Sequence, residues 1–81
     1  MTVTTKAVWV MPIAQNTIDA SQVQVDTMIQ EGKTDGIPVI TYDSPIAGQE
    51  TVDRTWVDLA AAQQWLDFLA PYGPVSTEIV A

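Results

Sequence analysis

The sequence predicts a mixed α+β domain with the element order β-α-β-β-α-β, on three observations. Val3 to Ile13 alternates in the two-residue rhythm of a strand. Ala62, Trp65, Leu66 and Leu69 fall at i, i+3, i+4 and i+7, one stripe of a helix. Turn formers (Asp35-Gly36, Asp43-Ser44-Pro45 with Gly48, and Pro71, Gly73 and Pro74) cut the remainder into short segments. At 81 residues the chain is read as one domain, 1–81.

In the first strand, Val8 and Val10 point to one face while Ala7, Trp9 and Met11 point to the other. Both sets are apolar, which suits a central strand. Residues 14–20 hold polar turn formers and candidate caps. Residues 20–31 admit two readings. As a helix, Asp19 is the N-cap with Gln22 at the capping-box spacing; Val25, Met28 and Ile29 share a face and Gly32 is the stop. As a strand, Val23, Val25, Thr27 and Ile29 alternate with polar neighbours, and their β-branched content suits that state. The caps favour the helix.

Ile37 to Tyr42 and Thr51 to Val57 read as two antiparallel strands, with Val52, Arg54 and Trp56 on one face of the second. Asp58 caps the helix from about Leu59 to Ala70, whose polar side is Ala60, Gln63, Gln64 and Asp67. Val75 to Val80 closes the chain as a strand. With 20–31 helical, this is the ferredoxin-like arrangement, an antiparallel sheet with both helices on one face and the first and third strands innermost. With 20–31 extended, it is a four-strand β-meander, one helix and a closing strand.

Composition narrows the function classes. Hydrophobic residues make up 47% and charged ones 16%, so the chain has the means to fold. A domain this short buries only about 60% of the surface its unfolded form exposes. Three basic residues, Lys6, Lys33 and Arg54, stand against ten acidic ones, a net charge of −7. Such a body repels phosphate backbones and anionic bilayers, so neither nucleic acid nor membrane is expected as a partner. The acids are scattered rather than gathered, which suits solvation better than mimicry of a polyanion. The short apolar stretch Ala7 to Ile13, broken by Pro12, is no export signal, and the expected location is the cytoplasm of the producing or host cell, or a virion.

No catalytic residue, cofactor site or metal site is expected. The chain has no histidine and no cysteine, which removes the usual neutral-pH base and the commonest zinc and iron–sulfur ligands. Its four glycines sit at turns rather than in a phosphate-cradling loop. Asp53 and Asp58, or Asp43 and Glu50, form possible carboxylate pairs, but each has an ordinary role as cap, strand-surface partner or loop solvation. Arg54, the one arginine, could stack on the indole of Trp56 or pair with a carboxylate; a strand-surface ion pair is a commoner fate than ligand binding.

The three tryptophans are the most informative residues. Trp65 belongs to the helical stripe and is expected in the core. If Val8 and Val10 face the helices, Trp9 and Met11 lie on the uncovered face of the sheet, with Trp56 a candidate to join them; the alternative is that Trp9 and Trp56 are two more core aromatics. Large aromatics and Met enrich interface cores, so Trp9, Met11, Arg54 and Trp56 form a candidate interface for a protein partner or a second copy.

The block Arg54-Thr55-Trp56, then Asp58 to Phe68, then Pro71-Tyr72, resembles a strand–helix ending of small uncharacterised proteins of tailed bacteriophages. The resemblance covers about the last third of the chain and implies a small phage product, a minor virion component, with no functional residues carried over. The expectation from the whole sequence is a non-catalytic interaction or assembly protein. An acidic inhibitor docking on a basic host protein is the alternative. A small-molecule-binding or cofactor-free enzymatic domain, with its pocket between helices and sheet, is the third.

Overall fold

The central strand is β1 (Val3–Val10), in a computed structural model that describes residues 2–42 and 48–80. It is followed by α1 (Gln15–Gln30), β2 (Val39–Tyr42), β3 (Gln49–Trp56), α2 (Leu59–Leu69), a 3₁₀ turn (Ala70–Tyr72) and β4 (Ser76–Val80). The sheet order is β2-β3-β1-β4 with every pairing antiparallel. This is the ferredoxin-like βαββαβ fold, with β1 and β3 innermost. The expected loop at Asp43-Ser44-Pro45 lies outside the described residues.

The region with two readings is helical, and it starts earlier than its cap chemistry suggests. Ala14 is the N-cap and offers no side-chain bond; its carbonyl accepts the N–H groups of Thr17 and Ile18 at 3.0 and 3.1 Å. Asp19 therefore lies inside α1, where its Oδ1 accepts from Gln15 Nε2 at 2.9 Å, one helical turn away. What fixes this start is burial: Thr17, Val25 and Met28 are the buried residues of α1. The expected stop holds. Gly32, at φ +73°, donates to the Ile29 carbonyl, and Lys33 donates to that of Met28, the paired bonds of a Schellman ending. Asp58 caps α2 as expected, accepting the Ala61 N–H at 2.8 Å.

Register decides the two faces of the sheet. Val3, Thr5, Ala7 and Trp9 stand opposite Trp56, Arg54, Val52 and Glu50. This set faces the helices, and its Ala7, Trp9 and Trp56 join Val25, Met28, Ala61, Ala62, Trp65 and Leu69 in one core. The expected assignment of β1's faces is inverted. Trp9 is 8% exposed and Trp56 1%, whereas Val10 is 60% exposed. The reason is volume: the large indoles take the helix-covered face, where the core encloses them, and the β-branched valines take the other. The other face carries Lys6, Val8 and Val10 beside Asp53, Thr51 and Gln49; Val8 is 9% exposed and Thr51 7%, so this face is open at Val10 and not at its centre.

Inside the core, Trp56 Nε1 donates to Thr5 Oγ1 at 2.9 Å, which satisfies an indole donor that burial would otherwise orphan. Trp56 and Trp65 lie 5.3 Å apart by ring centroids and Trp65 and Phe68 5.5 Å, so the aromatics form a continuous wedge between sheet and α2.

Candidate functional site

A cavity of about 240 Å³ opens between the helices and the sheet. Its sheet side is Ala7, Trp9, Ile40, Glu50, Val52 and Arg54; its helix side is Thr17, Ile18, Ser21 and Gln22 of α1 with Trp65 and Leu69 of α2. Residue size explains why it is there. The C-terminal half of α1 fills its space with Val25 and Met28, while the N-terminal half presents the short Thr17 and Ser21 over the equally short Ala7. The lining is mainly apolar with a few polar groups, the usual make-up of small-molecule sites.

Arg54 supplies the cation. Strand alternation puts Glu50, Val52 and Arg54 on the helix side of β3. The guanidinium carbon of Arg54 lies 5.2 Å from the ring centroid of Trp65, and Nη1 donates to the Gly36 carbonyl at 3.3 Å. That carbonyl is held in place. Thr34 Oγ1 donates to the Thr55 carbonyl at 2.7 Å and accepts the Gly36 N–H at 3.1 Å, while Asp35 Oδ1 accepts the Ile37 N–H at 2.9 Å. Gly36 itself sits at φ +78°, a conformation that side-chain-bearing residues rarely adopt, and a Cβ there would have to displace the Ile29 side chain.

Arg54 nevertheless lacks a full set of partners. Its Nε is buried without an acceptor, and among the described residues no carboxylate pairs with it. Burial pulls its pKa below the ordinary value, the direction expected when a cation leaves water. An arginine stays charged even so. The expected surface ion pair is therefore replaced by stacking, and on Trp65 of α2 rather than on its strand neighbour Trp56.

The four candidate interface residues do not form one surface. Trp9 and Trp56 are core, and Arg54 lies on the covered side with them. Met11 is half-buried just past β1, where its N–H donates to the Gly48 carbonyl at 2.9 Å. The carboxylate pairs separate as well. Asp58 caps α2, Asp53 faces the open side with its Oδ1 unbonded among the described residues, and Asp43 lies outside them. Glu50 is the lining residue that sequence reasoning undervalued by reading it as loop solvation. Its signal was parity with Arg54, four residues on in the same strand. Among the described residues no three carboxylates gather as a metal site, and no helix is long and apolar enough to cross a membrane.

No protein-family model and no curated protein sequence matches the chain. Among solved structures, protein SO0527 from Shewanella oneidensis is similar over 98% of this chain and 86% of its own, at 12% identity and a TM-score of 0.54. A protein assigned provisionally as an antibiotic biosynthesis monooxygenase from Deinococcus radiodurans aligns over 99% of this chain and 88% of its own, at 16% identity and a TM-score of 0.43. At 12% identity the likeness to SO0527 is one of fold alone.

Proposed function

We propose that the chain binds a small, largely apolar molecule between its helices and sheet, and that Arg54 recognises an anionic oxygen on it. The observation that supports this reading is Arg54 itself, a partly buried cation lining a cavity without a carboxylate partner among the described residues. A charge taken from water without a counter-charge is costly, and a bound anion would supply that counter-charge. The reading is of a binding domain rather than an enzyme. The chain has no histidine or cysteine, and among the described residues Glu50 is the one carboxylate lining the cavity. The test is a titration with octanoate followed by tryptophan fluorescence, since Trp9 and Trp65 line the cavity. Saturable binding that weakens ten- to hundredfold in Arg54→Met, about the ~1.5–3 kcal/mol of one charged hydrogen bond, supports the proposal. Equal binding by Arg54→Met contradicts it.

A second reading keeps the assembly role and the virion-accessory role implied by the C-terminal resemblance, but moves the surface. Edge strand β2 is exposed along its whole length, with Val39 at 60% and Tyr42 at 59%. An uncovered apolar edge invites pairing with a second copy of the chain. Because the chain carries a net charge of −7, such a dimer would tighten with added salt. Light scattering that finds a monomer at every concentration and salt would remove this reading.

A further inference from the structure

We infer that the molecule this cavity takes is amphoteric, with an anionic oxygen at Arg54, an apolar middle, and an ammonium at Glu50. The inference rests on the binding reading above and adds the second end of the ligand. Glu50 and Arg54 are four residues apart on the same face of β3, about 13 Å along the strand at ~3.3 Å per residue. Val52 lies between them, flanked in register by Ala7 of β1 and Ile40 of β2, while Trp9 stands opposite Glu50. At that separation the two charges do little for each other through a partly solvated cleft.

Glu50 is half-buried, and among the described residues it has no ion-pair partner. The two lysines are placed elsewhere. Lys33 pairs with Glu31 at 3.4 Å and donates to Gln64 at 2.8 Å, while Lys6 lies on the open face of the sheet. The cavity thus offers a cation at one end and a carboxylate at the other, and among the described residues neither has an ion-pair partner. A simple fatty anion would satisfy Arg54 but lay its hydrocarbon end against Glu50. A chain ending in an ammonium meets both charges and keeps its methylenes on Val52 and the apolar wall.

The experiment is calorimetric titration of the full chain with 8-aminooctanoate, octanoate and 4-aminobutanoate at one ionic strength. The wild type is expected to bind 8-aminooctanoate about tenfold tighter than octanoate, the effect of one added charge-assisted contact. It should bind 4-aminobutanoate far more weakly, because that molecule is too short to reach both ends. Glu50→Gln should reduce 8-aminooctanoate to the level of octanoate. If the wild type binds octanoate as tightly as 8-aminooctanoate, the amphoteric assignment is overturned while the binding reading stands. If neither eight-carbon probe binds, both are overturned.

Discussion

Arg54 lies with its guanidinium carbon 5.2 Å from the ring centroid of Trp65, so a strand cation and a helix indole meet at the wall of a cavity between helices and sheet that both of them line. The contact joins stability to recognition. The indole is held in the core by α2, and it in turn supports a cation that the cavity leaves without a counter-charge. Stacking of this kind contributes about 0.5–2 kcal/mol depending on how far the pair is desolvated, which is too little by itself to explain a partly buried arginine.

Trp65→Ala should destabilise the fold by ~3–5 kcal/mol, since the side chain is 4% exposed and touches both Trp56 and Phe68. That is a large share of the ~5–15 kcal/mol that holds a typical domain. Urea unfolding monitored by circular dichroism measures it. An unchanged midpoint would show that the stripe on α2 is not core.

Thr5→Val nearly preserves volume but leaves the Trp56 indole N–H without its acceptor. The expected loss is ~1–3 kcal/mol, the desolvation penalty of a buried unpaired donor. The same unfolding experiment reads it, and a stabilised variant would mean the bond is not formed.

Gly36→Ala and Gly32→Ala make a matched pair. Both glycines adopt positive φ, but a Cβ at Gly32 meets open space while one at Gly36 runs into Ile29. Gly32→Ala should cost about 1 kcal/mol and Gly36→Ala somewhat more, roughly 1–2 kcal/mol, because the Ile29 side chain must also move aside. Because the Gly36 carbonyl accepts from Arg54, the second variant should also weaken octanoate binding while the first does not. Equal effects on binding would detach Arg54 from its turn.

How far the sequence was legible depended on whether a signal was local. The Asp58 cap and the Trp65 stripe need only neighbouring residues, and both were readable. The start of α1 was not, because Asp19 and Gln22 have the spacing of a capping box while the helix starts at Gln15 under a cap that lacks a side-chain bond. The parity of β1 was readable, but not which parity faces the helices, since Ala7, Trp9 and Met11 are as apolar as Val8 and Val10. The site was hidden more deeply. It assembles Arg54 from β3, Trp65 from α2 and Gly36 from the loop before β2, and no spacing in the sequence ties these three together.

Trp9→Lys and Val39→Lys separate the two faces of the sheet. Trp9 is core, so its replacement by an ammonium should unfold the domain, whereas Val39 is 60% exposed and should tolerate lysine within about 0.5 kcal/mol. A folded Trp9→Lys protein would restore the tryptophan to the open face.

The most direct measurement of the central claim is a nitrogen–proton correlation spectrum recorded while octanoate is added. Trp9 and Trp65 line the cavity, whereas the indole N–H of Trp56 is held by Thr5 inside the core. The proposal predicts that the Trp9 and Trp65 indole signals and the Thr17 and Ser21 amides shift together to saturation with a single Kd, while the Trp56 indole barely moves. Shifts that never saturate, or that saturate around Val10 and Val39 on the open face, would contradict it.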